Sequence, residues 1–179
     1  IEDLKAVKTE LEKANYDALT GLPNRIIARD RLNQGLASAR RHQGRLAVMF
    51  LDLDKFKWVN DHLGHAAGDE LLQQVAQRCR ERIGPNDVFA RLGGDEFLCV
   101  LPGLDDADAA TRLAQAFVDS LCRPFSLRDG EARIGTSVGI AFFPEHGESA
   151  DQLIERADSA LYAAKRAGRN VWRSYRDES

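Results

Sequence analysis

Apolar positions change their period several times along this chain, and each change marks a predicted element. Within Arg25–His42, Ile26, Ile27, Leu32 and Leu36 recur at helical spacing among charged residues, which predicts a helix with those side chains inward. Asn24, following the break at Thr20-Gly21-Leu22-Pro23, is placed to cap it. Leu46-Ala47-Val48-Met49-Phe50-Leu51 is apolar at both parities, the pattern of a strand buried on both faces, and it runs straight into Asp52-Leu53-Asp54. Phe56, Val59 and Leu63 then share one helical face, and beyond Gly64 a longer face carries Leu71, Leu72, Val75, Cys79 and Ile83. Residues 88–92 and 97–101 read as short strands around Gly93-Gly94-Asp95-Glu96, a hairpin signal. An amphipathic helix follows over Ala107–Leu121.

Residues 134–143 alternate large with small. Ile134, Val138, Ile140 and Phe142 face one way; Gly135, Ser137, Gly139 and Ala141 face the other, a surface on which a helix can pack closely. Ser149 and Gln152 have capping-box spacing for a last helix through Leu153, Ile154, Ala157, Leu161 and Ala164. Gly168 ends that helix, and Val171-Trp172-Arg173 forms a final short strand. The order β-α-β-β-α-β-α-β predicts an α+β fold of the split βαβ kind, an antiparallel central sheet flanked by helices. Ahead of it, residues 1–16 are charged and helix-prone. With Ile1 at heptad position a, Leu4, Leu11 and Ala18 fall at d, but Lys8 and Asn15 occupy the next a positions. That weak seam suits either a solvated lead-in helix or the end of a signalling helix from an upstream module. The expected division is a lead-in at 1–16, one domain at 17–175 and a tail at 176–179.

Composition narrows the classes. In 179 residues, 44% hydrophobic and 30% charged residues supply a core and a soluble surface, which excludes a disordered or disulfide-stapled chain. Lys plus Arg is 25 against 28 for Asp plus Glu, a net charge of −3, so no nucleic-acid partner is expected. A phosphate-rich ligand would instead need metal ions and a few placed cations. Cys79, Cys99 and Cys122 lie far apart beside apolar residues and read as reduced core or near-core thiols of a cytoplasmic domain. The chain opens on Ile1, so a longer protein, which a membrane could anchor, is expected around it.

Candidate chemistry gathers at the acids. A carboxylate at the end of a strand buried on both faces is costly unless it meets a cation, and Asp52 is so placed. If the hairpin lies beside that strand, Asp95 and Glu96 converge on Asp52, and hard oxygen ligands without His or Cys suit Mg²⁺. Such convergence on a split βαβ sheet fits two-metal nucleotidyl transfer. The same residues also read as a helix cap and an ordinary acidic turn. Lys165 and Arg169, four apart, share a helix face and suit either a triphosphate or the negative end of the helix dipole. Lys57, five residues past Asp52, is a further candidate for a phosphate contact, while Asn60 and Asp69 flank the Gly64 break as guanine readers or as caps. No phosphate-loop, dinucleotide, zinc-protease or C-x-x-C motif occurs, and His62 with His65 reads as a surface pair.

These motifs together resemble the GGDEF domain family, the diguanylate cyclases. Asp17-Ala18-Leu19-Thr20-Gly21-Leu22-Pro23-Asn24-Arg25 looks like the opening signature, and Phe50 through Asp61 with Leu63 through Asp69 looks like the metal and substrate segment. Arg91-Leu92-Gly93-Gly94-Asp95-Glu96-Phe97 carries the naming motif, and Ala157-Asp158 through Asn170 resembles the closing one. The resemblance implies a palm-like fold and condensation of two GTP into cyclic di-GMP with loss of two pyrophosphates. It implies two divalent ions, Mg²⁺ with Mn²⁺ as a substitute, on Asp52, the Leu53 carbonyl, Asp95 and Glu96. Glu96, Asp95 and Lys57 would be catalytic, Lys57 against the α-phosphate. Asn60 and Asp69 would read guanine, with His65, Phe56 and Gly94 also against the substrate, and Lys165 and Arg169 would clamp the terminal phosphates.

The resemblance further implies a homodimer, because each subunit holds one GTP, and an upstream sensory module that sets dimer geometry. A downstream phosphodiesterase domain is a further expected neighbour. A catalytically silent, GTP-binding regulatory domain is the alternative. One departure stands out: the product-inhibition R-x-x-D becomes Gly84-Pro85-Asn86-Asp87, which predicts weak or absent inhibition there.

Overall fold

The computed structural model describes residues 14–176; the expected lead-in therefore lies largely outside the described residues, as do residues 177–179 of the tail. Five strands form the main sheet, with β1 (Arg45–Asp54) at its centre. β1 runs antiparallel to β3 (Glu96–Leu104) on one side and to β6 (Gly135–Phe143) on the other. β2 (Val88–Gly93) pairs outside β3, and the short β7 (Trp172–Ser174) pairs parallel outside β6. This is the predicted α+β arrangement with a mostly antiparallel sheet. The remaining strands, β4 (Phe125–Leu127) and β5 (Gly130–Ala132), make a separate hairpin that the hydrophobic pattern does not announce, because each is only three residues long.

The sheet is covered on both faces, which is why β1 is apolar at both parities. Ala47, Met49, Leu51 and Leu53 point into a core with α2 (Phe56–Leu63), α3 (His65–Arg80) and α4 (Ala107–Leu121). Leu46, Val48 and Phe50 point the other way, against α1 (Arg25–His42) and α5 (Ala150–Arg166). Burying one such leucine or methionine contributes about 1.5–3 kcal/mol, so the alternation fixes the register of the central strand.

α5 lies directly on the small face of β6. A Cβ on Gly139 would stand 2.1 Å from both the Ala157 carbonyl oxygen and the Leu161 nitrogen, so the helix backbone touches the strand backbone there. The Ser149 hydroxyl accepts from the Gln152 N–H and caps α5, and Asn24 caps α1 through the N–H groups of Ile26 and Ile27, both as the spacing predicts.

Two expectations are corrected. Ile26 is 62% exposed rather than inward; α1 buries Ala28, Leu32, Leu36 and Ala39. Those four recur every three or four residues, whereas Ile26 sits two positions, about 200°, away from Ala28. Cys122 is exposed at the end of α4, unlike the buried Cys79 and Cys99.

Candidate active site

β1 carries its acids to the end of the sheet. Asp52 is opposite Glu96 on β3 and Ser137 on β6, so these three side chains share one face. The Gly94-Asp95 loop closes the β2–β3 hairpin over the same end, with φ of 145° at Gly93 and 50° at Gly94. Such backbone angles favour glycine, and they turn the chain so that the Leu53 N–H donates to the Asp95 carbonyl at 3.2 Å. The hairpin thus lies beside the central strand, and the predicted convergence of Asp52 with Asp95 is present.

The charges are arranged around a gap in the hydrogen bonding. Asp52 Oδ2 is ion-paired with the Lys165 ammonium, which reaches across from the last turn of α5. Asp52 Oδ1 is buried and has no donor. The Asp95 carboxyl is pushed up to about 6, first by burial and then by the neighbouring Asp52 carboxylate, with Glu96 adding to it. Two acids forced together beside an unpartnered buried oxygen fit a cation ligand set, and hard oxygens suit Mg²⁺ or Mn²⁺. Glu96 is exposed and makes no side-chain hydrogen bond or ion pair among the described residues. No three His, Cys, Asp or Glu side chains close into a metal-holding group among those residues, so backbone carbonyl or substrate oxygens would have to complete any coordination.

The guanine candidates sit on the next two helices. Asn60 is partly buried on α2, with its side chain over Gly68 of α3, where a Cβ would come within 1.9 Å of Asn60 Oδ1. Asp69 follows Gly68 directly and is exposed, as are Lys57 and His65. Phe56 is partly buried and packs against the core at the start of α2. His62 stacks on Trp58, with ring centroids 4.3 Å apart, and its Nδ1 lies 2.9 Å from the Trp58 carbonyl.

Three side chains given no role by sequence reasoning complete the surroundings. Arg91 donates Nε and Nη2 to the Gly94 carbonyl at 3.1 and 2.9 Å, while its Nη1 reaches both oxygens of Asp17 at 3.0 and 3.2 Å. Asp17 also accepts from the Thr20 N–H and hydroxyl; burial alone would raise its carboxyl, but these bonds and Arg91 hold it below the usual range. Both residues stand inside the quoted motifs, so the signal was present, but their contact spans 74 positions. Asp54, on the same face of β1 as Asp52, is only 4% exposed and takes up Arg169 at 3.5 Å. The acid of the altered product-inhibition motif, Asp87, accepts from the Gly84 N–H at 2.8 Å and closes its own turn.

A family model described as "Diguanylate cyclase, GGDEF domain" matches residues 14–171. The bifunctional diguanylate cyclase/cyclic di-GMP phosphodiesterase MucR of Pseudomonas aeruginosa is 45% identical over 166 residues, covering 93% of this chain and 24% of MucR. The diguanylate cyclase TpbB of the same organism is 41% identical over 185 residues, covering 94% of this chain and 42% of TpbB. The chain therefore spans less than half the length of either curated relative. A solved structure of TpbB comprising only its GGDEF domain superposes with a TM-score of 0.88 at 42% identity, covering 90% of this chain and 94% of that one. With the motif hairpin at the end of the central strand and the family model running almost the full described length, this chain belongs to the GGDEF family of diguanylate cyclase domains.

Proposed function

We propose that this domain condenses two GTP into cyclic di-GMP, releasing two pyrophosphates, on a palm-like fold akin to nucleotide cyclases and polymerase palms. The observation that carries the reading is the Asp52–Asp95 pair at the end of β1, with a buried, donorless Asp52 oxygen beside it. Asp52, the Leu53 carbonyl, Asp95 and Glu96 would hold two Mg²⁺ ions, with Mn²⁺ as a substitute. Bound there, the ions would neutralise charge on the phosphates and make the 3′-hydroxyl easier to deprotonate.

The chain's own side chains do the rest. Glu96 takes the proton of the attacking 3′-hydroxyl. Lys57 stabilises the charge that develops on the α-phosphate. Asn60 and Asp69 read the guanine edge, with His65, Phe56 and Gly94 lining the nucleotide. Lys165 and Arg169 face the terminal phosphates, which leave as pyrophosphate. One GTP per subunit requires two copies facing each other, so that each 3′-oxygen bonds to the opposite α-phosphorus as the α–β phosphoanhydride breaks. In the longer protein an upstream sensory module would set that approach, a phosphodiesterase domain could follow, and the GTP-dependent domain would work in the cytoplasm.

The test is cyclic di-GMP production from GTP and Mg²⁺ across a wide range of protein concentration, beside Glu96→Ala. Product rising faster than linearly with protein, and lost by about a hundredfold or more in the variant, is expected from removal of a general base.

The alternative reading is a silent GTP-binding domain that regulates an attached module. Nucleotide binding without product, even in an artificially dimerised protein, would select it.

A further inference from the structure

We propose that Asp54 is a positioning residue for triphosphate recognition: it locks the turn at residues 168–170 so that Arg169 is held beside Lys165. The inference rests on the reading in which Lys165 and Arg169 face the terminal phosphates. Asp54 is a charged group buried at the end of β1, and such a group is costly unless several donors converge on it. They do. The Ser137 hydroxyl donates to its two oxygens at 2.9 and 3.1 Å, the Asn170 backbone N–H donates at 2.9 Å, and Arg169 lies at 3.5 Å.

The turn that Asp54 grips needs holding. φ is positive at three successive residues, 116° at Gly168, 65° at Arg169 and 52° at Asn170, and the last two carry side chains that disfavour this region. Room for the turn is provided by Gly135, the register partner of Asp54: a Cβ there would stand 2.8 Å from Asn170 Oδ1. Asp54, Ser137 and Gly135, on two adjacent strands, are all fitted to this one turn.

Capping α5 does not account for the carboxylate. The end of that helix is already closed by the Gly168 and Arg169 N–H groups on the Lys165 and Ala164 carbonyls. What Asp54 adds is a fixed backbone position for Arg169. Lys165 meets Asp52 and Arg169 meets Asp54, two acids spaced two residues apart on one strand face, so the two cations stand side by side. The Arg169 side chain remains 57% exposed, and its unused N–H groups are free to take phosphate oxygens.

The experiment compares equilibrium binding of an unreactive methylene analogue of GTP, of GDP and of GMP by calorimetry on the whole chain. Arg169→Ala is expected to lose about tenfold for the triphosphate and little for GMP, the loss of a charge-assisted contact. Asp54→Asn should lose the same selectivity, and the double variant should be no more than about twofold worse than either single one. The direction is diagnostic, because removing a negative charge near phosphate would by Coulomb's law alone tighten the triphosphate. Ser137→Ala, a milder release of the same carboxylate, should show a partial loss and carries the test if Asp54→Asn does not fold.

Wild-type selectivity in Asp54→Asn or Ser137→Ala, an equal loss for all three nucleotides, or a multiplicative double variant would overturn the positioning role alone. A wild-type protein that binds none of the three nucleotides would overturn the functional reading and this role with it.

Discussion

At the scale of single residues, contact distances make sharper predictions than residue type. Gly68 lies inside α3, where alanine is favoured over glycine by about 1 kcal/mol, yet its missing Cβ is the space occupied by the Asn60 amide. Gly68→Ala is therefore expected to leave the melting temperature unchanged or slightly raised while pushing Asn60 aside. If Asn60 reads guanine, the preference for GTP over ATP should fall by about tenfold, the worth of a misplaced polar contact; unchanged selectivity in competitive binding would remove Asn60 from that role. Asp52 and Asp95 were legible as a pair because each stands at the edge of a strongly patterned strand. Asp54 was equally visible as a letter, but its partner Asn170 lies 116 positions away, and no local pattern carries that contact.

Elements were legible where their period was strong and buried. β1, β6 and α5 follow their apolar patterns, and the small face of β6 correctly announces a helix at close range. α1 shows the limit: two overlapping apolar stripes occur in its first turns, and only packing decides that Ala28 rather than Ile26 goes inward. The loop joining β6 to α5 has its own device. His146 Nδ1 accepts the Phe142 N–H at 2.9 Å, the His146 backbone N–H donates to the Phe142 carbonyl at 2.7 Å, and the His146 carbonyl accepts from Arg156 at 2.7 Å.

Burial holds the His146 imidazole below the usual histidine range; Arg156 and Arg45 push the same way and Glu145 opposes them. With a depressed folded-state value, the unfolded chain binds the proton first. Stability is then complete above about pH 6.5 and declines as the pH falls through that value. The melting temperature of the wild type should fall more between pH 7 and pH 5 than that of His146→Gln; parallel curves would exclude His146 as the source.

At the scale of the whole molecule, the altered R-x-x-D stretch offers a product little to bind. Asp87, the surviving acid of the R-x-x-D stretch, is already satisfied by the Gly84 N–H, and Gly84 offers no guanidinium to a phosphodiester. Cyclic di-GMP is accordingly expected to bind there weakly or not at all; tight binding by calorimetry that disappears in Asp87→Ala would contradict this. A core pattern reports what packs inside one domain, so domain order and any pairing of copies could not be spelled out by it.

The position of β1 bears on regulation. Its amides are hydrogen-bonded to neighbours on both sides and its side chains are covered on both faces, so in a hydrogen-exchange experiment they belong with the last to open. Asp52 and Asp54 are thus mounted on a strand expected to open late, with Asp95 in the turn beside it. A signal arriving from outside would find little compliance to act on there; if two copies must meet, as proposed, control would fall to their approach rather than to reshaping either one.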